Sequence, residues 1–415
     1  MRTWFALGMV ILSFFPRSSS AQSQSCSEME TYDPSMSMCM PRAMDAMPMS
    51  MLMLSGNGFL VGSAETGNRA RNTFYSPNMF MVDIGTSLGN SNYLNLDYMG
   101  TLERWTVPDA GYPELLQIGE ENNQGVSYID AQHPHSSPIM GLTLSDTINL
   151  GGGKNNLKIF AAPRGEATDG PVAFMHRPTG MVNPVAPLGH HVGQDVGHIS
   201  SSILGESLKL YSTHLEFSTY HGTEPKPQNV DLPLGSLNSY SFRLIEEIDP
   251  NFLAMVSYAY VSNPEPDSTG PPFVNRYSAS IYNTFPLSNR WAFNNSLIGG
   301  IIAGYDQAAT LTSFTEEFLF KGDHPRVWGR VETLQRTPNE LQLLTGTDGN
   351  AGQWVTALTV GYSHKIAMWE SAELDLGASF TADLLPQDYQ SAYGGNPFSA
   401  LAFLQLEGMK MLSLK

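Results

Sequence analysis

Cysteine is nearly missing from this 415-residue chain, which carries only Cys26 and Cys39, so a scaffold built on disulfides is excluded. Long hydrophobic runs are missing too. Past the first residues no segment approaches the ~18 uninterrupted apolar residues that a membrane-spanning helix requires. Charge is sparse, at 15% of residues, and its basic share is small: 22 Lys and Arg stand against 39 Asp and Glu, a formal net charge of -17. That balance excludes a nucleic-acid binder and favours cations near the surface. Catalytic signatures are also wanting. There is no Gly-x-Ser-x-Gly elbow and no His-Glu-x-x-His. Gly151-Gly152-Gly153-Lys154 falls in an expected hairpin turn, without the strand-to-helix context of a phosphate loop. No motif carries a mechanism, so a non-enzymatic protein is expected.

What the chain does have begins with an export signal. Arg2, an apolar run from Trp4 to Phe15, then Ser19-Ser20-Ala21 read as a signal peptide over residues 1–21, cut after Ala21. Ser23-Gln24-Ser25 lacks the apolar residue that a lipoprotein cut at Cys26 requires, so the mature chain is expected to start near Gln22.

The next 28 residues, 22–49, form a sulfur-rich tail. Nine methionines fall between Met29 and Met53, and Met36, Met38, Cys39 and Met40 place four sulfurs within five residues. Soft thioether and thiolate donors select Cu(I) over hard cations. Cys26, Met29, Met36, Met38, Cys39, Met40, Met44, Met47 and Met49 are therefore candidate copper ligands. The structural alternative is that methionine merely fills space along a strand. Core methionines, however, come mixed with Leu, Ile and Val, whereas these are separated by Ser, Asp, Pro, Arg and Ala. Met51 and Met53 instead open the first strand and are expected to pack. For Cys26 and Cys39 a disulfide in an oxidising compartment and metal ligation both stand open.

From residue 50 to about 410 one pattern repeats: a strand, a tight polar turn, another strand, then a longer loop. The turns fall at Gly89–Asn92, Gly151–Lys154, Ser212-Thr213, Asp249–Asn251, Leu287–Asn289, Lys321–Asp323 and Ala367–Glu370, giving seven hairpins. The longer connections lie near 100–138, 163–195, 222–237, 262–274, 304–311, 336–352 and 384–396. Short turns at one end and long loops at the other is the asymmetry of an outer-membrane barrel. Within strands the residues alternate. In Ala372–Thr381 every even position is apolar and every odd one polar or Gly. Phe80, Val82 and Ile84 oppose Met81, Asp83 and Gly85, and near Val327 and Val331 the opposite face carries Arg326, Arg330, Glu332 and Arg336. Charges on one face suit a water-filled interior, and Tyr258, Tyr260, Tyr277, Tyr282, Trp291, Trp354 and Tyr362 suit interfacial girdles. A soluble β protein also alternates and is the competing reading. Seven hairpins, an initial strand from Ser50 to Gly62 and a final one from Phe398 to Met409 make an all-β fold. It is a single antiparallel transmembrane β-barrel of about sixteen strands, with fourteen as the alternative.

Eight of the ten histidines lie between positions 133 and 221. His133 and His135 flank a proline, while Met175, His176, Met181, His190 and His191 share the next long loop, and imidazole with thioether again suits copper. The bland reading is loop packing inside the barrel mouth. His198 and His214 are expected to point inward for structural reasons, with Lys209 pairing to Glu216.

Several of these stretches have a family resemblance: Met-Ser-Met-Cys-Met-Pro in the tail, Pro77–Asp83, Asp130–Pro138, Pro171–Met181 and Gly189-His190-His191. Over most of its mature length the chain resembles a family of outer-membrane proteins of Gram-negative bacteria, of no assigned mechanism, associated with copper-handling genes. In architecture it is similar to the copper-resistance outer-membrane proteins, which join a Met/His-rich tail to a barrel. Many bacterial barrels end in an aromatic residue, and this chain departs from that with Met411-Leu412-Ser413-Leu414-Lys415. The resemblance implies copper sequestration, resistance or passage at the outer membrane. The alternative is a general solute porin without a metal role, or a soluble exported binding protein. Expected partners are copper ions, outer-membrane lipids, further copies of the chain or a periplasmic copper-handling protein.

Overall fold

A computed structural model describes residues 30–33, 38–41 and 50–414, less 123, 152–153, 195, 228–229, 265–271, 305–309 and 344–347. The expected signal peptide lies outside the described residues, and of the tail only Glu30–Asp33 and Met38–Pro41 are described, as an antiparallel strand pair.

Sixteen antiparallel strands close into one barrel. They are β1 (Ser50–Glu65), β2 (Asn78–Leu88), β3 (Asn92–Gly100), β4 (Ile139–Asn149), β5 (Asn155–Gly165), β6 (Ser200–Leu210), β7 (Thr213–His221) and β8 (Ser239–Asp249). There follow β9 (Phe252–Ser262), β10 (Phe273–Ser288), β11 (Trp291–Ala303), β12 (Leu311–Gly322), β13 (Pro325–Arg336), β14 (Gln353–Met368), β15 (Ala372–Leu384) and β16 (Phe398–Leu414). The seam joins β16 to β1 in one uninterrupted register, from Ser399 opposite Glu65 to Leu414 opposite Ser50. Closure removes both sheet edges, which a bilayer would otherwise leave without hydrogen-bond partners. The count of sixteen holds and fourteen does not.

Each of the seven expected hairpins is present within a residue or two. The terminal ends of β1 and β16 lie on the short-turn side, so the sulfur-rich tail joins the barrel there. A short strand, Thr73–Tyr75, also pairs with β1 at its long-loop end.

Side-chain alternation explains why this sequence chooses a membrane. On β14 and β15, Leu358, Val360, Tyr362, Leu376 and Phe380 point outward, each 39–59% exposed, while Thr359, Ser363, Asp375, Ser379 and Asp383 point into the lumen and are buried. The same apolar skin continues through Leu60, Leu96, Leu144, Val256 and Leu406. So wide an apolar surface would drive aggregation in water and instead faces hydrocarbon, which removes the soluble reading. Tyr277, Trp291, Trp354 and Tyr362 stand on this outer face as expected. Tyr282 does not. On β10 it shares the inward parity of Arg276, Ser278 and Ser280, and its hydroxyl accepts the Val172 backbone N–H inside the barrel.

Lys209 pairs with Glu247 rather than Glu216, because Glu216 stands directly opposite Arg243 in the β7–β8 register and takes that partner at 2.6 Å. Glu246, which breaks the alternation of β8, sits at the turn end and accepts the hydroxyls of Ser212 and Thr213.

Because Ala378 lies mid-strand on the lipid face between Leu376 and Phe380, Ala378→Arg is expected to cost about 2–4 kcal/mol of folding stability in bilayers. Ser379→Thr, one residue away on the lumenal face, is expected to stay within about 1 kcal/mol. Urea titration of the vesicle-folded barrel, followed by its heat-shifted gel mobility, measures both.

Candidate functional site: a loop-filled lumen with a histidine cluster and a methionine-lined vestibule

Two of the long loops fold inward. The β5–β6 loop, residues 166–199, runs along the inner wall on a ledge that successive strands provide. Thr168 meets Ser218 of β7 and Ser241 of β8, the Gly170 N–H donates to Ser257 of β9, Val172 reaches Tyr282 of β10, and Thr179 meets Ser296 of β11. At β12 and β13 the wall turns ionic. Arg177 donates through Nε and Nη2 to the two carboxylate oxygens of Glu317, at 3.0 and 3.1 Å, and Arg330 Nε adds a third bond at 3.1 Å. Arg177, Glu317 and Arg330 are at most 2% exposed. Arg330 also donates to the carbonyls of Val185 and Ala186, and Arg336 to that of Leu188. Beyond this the loop presses onto β11, where Gly193, at φ +70°, meets the Ile301 backbone and a side chain on Gly300 would strike the Val192 and Gly193 backbone. A Cβ at either glycine would push the loop off the wall.

The β3–β4 loop, residues 101–138, contributes a hairpin, Tyr112–Glu121 with Ser127–Gln132. Its buried Leu116 is held by Arg336, which donates to the Leu116 carbonyl, and by Asp130, which accepts the Leu116 N–H. Leu115, Leu116, Ile118, Leu188 and Val192 of the two loops pack against Ile203, Val261, Leu334 and Val355 of the wall in one apolar cluster. The long-loop half of the lumen is thus packed like a protein interior.

Where the two loops meet, five histidines gather. His133 and His135 come from the end of the hairpin, His190 and His191 from the helical turn Leu188–His191, and His198 from the turn Val196–His198. Ring centroids lie 5.3 Å apart for His133–His191, 4.4 Å for His190–His191, 4.6 Å for His190–His198 and 5.3 Å for His135–His198. One ligand atom from each of His133, His190 and His191 falls within 4.8 Å of the other two. His135 is oriented by buried Glu103, whose Oε2 lies 2.7 Å from both the ring Nδ1 and the backbone nitrogen of His135. A carboxylate at Nδ1 fixes the proton there and turns Nε2 outward as a lone-pair donor. That Nε2 is buried and has no hydrogen-bond partner among the described residues.

Below the plug, on the short-turn side, a vestibule of about 1080 Å³ remains. Cross-strand register builds its wall in rows: Met409, Ser55, Met81 and Met99 in one, Met411, Met53, Asp83 and Asp97 in the next. Met53, Met79, Met81, Met99, Met175, Met181, Met368 and Met409 all line the cavity. Its charged lining has eight carboxylates (Asp83, Asp97, Glu166, Asp169, Glu216, Glu370, Glu373, Glu407) against four cations (Lys158, Arg243, Lys321, Arg326). Arg326 lies against Glu373 and Glu407, and Arg243 against Glu216, while Asp83 stands directly opposite Asp97 in the β2–β3 register. Met175 and His198 line the vestibule as well and join it to the histidine cluster.

Of the residues singled out from sequence, His133, His135, His190 and His191 come together. Met175 packs with Phe174, Met99 and Met140 directly below them. Met181 lines the vestibule, and its carbonyl accepts Asn57 and Gln405. His176 stands apart, 3.4 Å from Glu166: burial lowers its pKa, but the carboxylate raises it more, so the net shift is upward. A metal would have to displace that favoured proton. Cys26, Met29, Met36, Met44, Met47 and Met49 lie outside the described residues. Met38, Cys39 and Met40 fall on the tail strand Met38–Pro41. Sequence reasoning assigned His198 to a structural role, and it set Met53 aside as packing. The parity that put Met81 and Asp83 on one face already pointed to a sulfur-lined lumen.

Among solved structures, the chain is similar to OmpF of Salmonella typhi, at 10% identity and TM-score 0.52, with 85% of this chain and 97% of that one covered. It is similar also to an anion-selective porin from Comamonas acidovorans, at 10% identity and TM-score 0.51, covering 87% and 100%. The fold is that of the outer-membrane porins. A barrel of this architecture belongs in the outer membrane of a Gram-negative bacterium. No protein-family model matches this porin-like barrel, and no curated relative matches it by sequence.

Removing one partner from a buried ionic triad costs about 3–5 kcal/mol, because the remaining charges lose their compensation. Glu317→Ala is therefore expected to loosen the 166–199 loop and raise single-channel conductance in planar bilayers several-fold. Unchanged conductance in a barrel of normal heat-shifted mobility would show that the serine ledge holds the loop by itself.

Proposed function

We propose that this porin-like barrel is a selective channel for a soft cation, copper as Cu(I), rather than a general diffusion pore. The observation that carries this reading is the lining of the vestibule: across β16, β1, β2 and β3 a row with the thioethers of Met409, Met81 and Met99 lies beside a row with Met411, Met53, Asp83 and Asp97. Carboxylates concentrate a cation, and thioethers then favour the soft Cu(I) over Na⁺, K⁺ or Mg²⁺. The tail enters the barrel at Ser50, on the side where the vestibule opens, so its Cys26-to-Met49 sulfurs are proposed to capture copper at that mouth. Sequestration on the tail and passage through the lumen are two stages of one role in this reading. No catalytic step is part of it.

The second reading, a general solute porin, is favoured by the fold, since porins of low sequence identity share it. Against it stands the packed long-loop half of the lumen, in which the 166–199 loop holds to seven strands and buries Thr168, Arg177, Thr179, Leu188 and Val192.

Leucine replaces methionine at nearly constant volume, with a cost usually under about 1.5 kcal/mol, so a barrel carrying M79L, M81L and M99L should fold while losing sulfur. In proteoliposomes, Cu(I)-driven quenching of an entrapped copper indicator is expected to slow at least tenfold, with arabinose-driven swelling near zero in both proteins. Rapid swelling with arabinose, and copper entry indifferent to the three substitutions, would establish the general porin instead. Metal analysis with and without residues 22–49 tests the tail separately, and equal copper in both would remove it from the proposal.

A further inference from the structure

We propose that His133, His190 and His191 form a metal site for one divalent late-transition cation, Cu(II) ahead of Zn(II), and that this ion staples the two inward loops together. The site is distinct from the vestibule and does not depend on what the channel carries. His133 belongs to the 101–138 loop, His190 and His191 to the 166–199 loop, and no covalent link joins these segments near the junction. Their ligand atoms already lie within 4.8 Å of one another. Around a single ion with metal–nitrogen bonds of about 2.0–2.1 Å, ligand atoms sit about 3.3 Å apart, so small side-chain rotations complete the set.

The surroundings are those of a metal centre. His135, 4% exposed, carries its carboxylate partner Glu103 on Nδ1 and presents an unpartnered Nε2, in ring contact with both His133 and His198. A carboxylate behind the ring in this way fixes the tautomer and orientation of a ligating imidazole. His135 and His198 are thus placed as a fourth ligand and its alternate. His198 also lines the vestibule, which gives an ion its way in from the turn side. Donor chemistry selects the ion. Three neutral imidazoles suit borderline cations, and the Irving–Williams order puts Cu(II) above Zn(II) at such a site, whereas the softer Cu(I) prefers the sulfurs below. An ion bound here joins the halves of the plug, so its removal frees the 166–199 loop to move relative to the hairpin.

The test uses the full-length barrel stripped of metal in detergent. One equivalent of Cu(II) is added and read by electron paramagnetic resonance, with Zn(II) competition for relative affinity. The expected spectrum carries superhyperfine splitting from three or more nitrogens, which tail sulfurs do not produce. In H190A/H191A that signal is expected to vanish and Cu(II) affinity at the site to fall at least thirtyfold. In H324A/H364A, which removes the ring pair at the other end of the barrel, both are retained. If H190A/H191A does not fold, H133Q decides: a three-nitrogen signal of undiminished affinity in H133Q overturns the site. So does a wild-type spectrum without nitrogen splitting. For the staple, a chelator is expected to raise single-channel conductance at least twofold in the wild-type barrel and not in H190A/H191A, and a chelator without effect removes that role. The M79L/M81L/M99L barrel keeps the nitrogen signal, so the cargo reading and this site fail separately.

Discussion

The interior of this barrel depends on one buried charge arrangement, Arg177 and Arg330 on either side of Glu317. Taking three charged groups out of water costs several kcal/mol each, and attraction offsets it only when geometry and hydrogen bonding are nearly complete. At Glu317 they are: both carboxylate oxygens accept from guanidinium groups, one also from the Thr179 hydroxyl, and Arg330 Nη1 donates to the Val185 and Ala186 carbonyls. The triad therefore works as a positional lock. It fixes where the 166–199 loop crosses the wall, hence where Leu188–His191 turns, hence where His190 and His191 meet the hairpin carrying His133. Each later feature of the lumen inherits its place from that crossing.

The barrel itself was legible because its rules are local. A turn signal every two strands and a period of two in side-chain polarity operate over a few residues, and both can be read along the chain. Sixteen strands, the seam from Ser50 and the inward Arg326, Arg330, Glu332 and Arg336 follow from those rules alone. The plug was not legible, because its contacts are remote. Arg177 and Glu317 are 140 residues apart, and Arg336 reaches Leu116 across 220. A run such as Pro171–Met181 shows by its lack of alternation only that it is no strand. Whether it spreads over the surface or dives into the lumen is decided by partners that its own sequence does not name. Lys209 is a smaller case: its nearest carboxylate by parity was Glu216, but Glu216 was already satisfied across the next strand pair by Arg243.

Histidine and methionine were informative in different ways. The histidines were visible as a cluster in sequence, yet their meaning lay in convergence, and His198 joined them only because the β5–β6 loop returns to the wall beside His135. The methionines drew attention where they are dense, in the tail, while those facing the lumen are spread one or two to a strand over β1, β2, β3, β14 and β16 and onto the 166–199 loop. A lone methionine in a strand reads as core filler. Only the register, Met81 opposite Met99 and Met53 opposite Asp83, turns single residues into a surface of sulfur and carboxylate.

The two donor sets are also segregated by softness, and that separation bears on how such a channel would work. Thioethers line the open vestibule, where exchange with the turn-side solution is easy and a weakly held ion can leave again. Imidazoles sit in the packed region, where an ion held as proposed would gain ligands from both loops and leave only if the plug loosened. A passage site must bind weakly enough to release its ion, whereas a structural site gains from holding on. With sulfurs below and nitrogens above, one metal in two oxidation states would meet two different fates. The reduced ion would be retained loosely among the methionines, and the oxidised ion would be fixed at the loop junction, closing the plug above it.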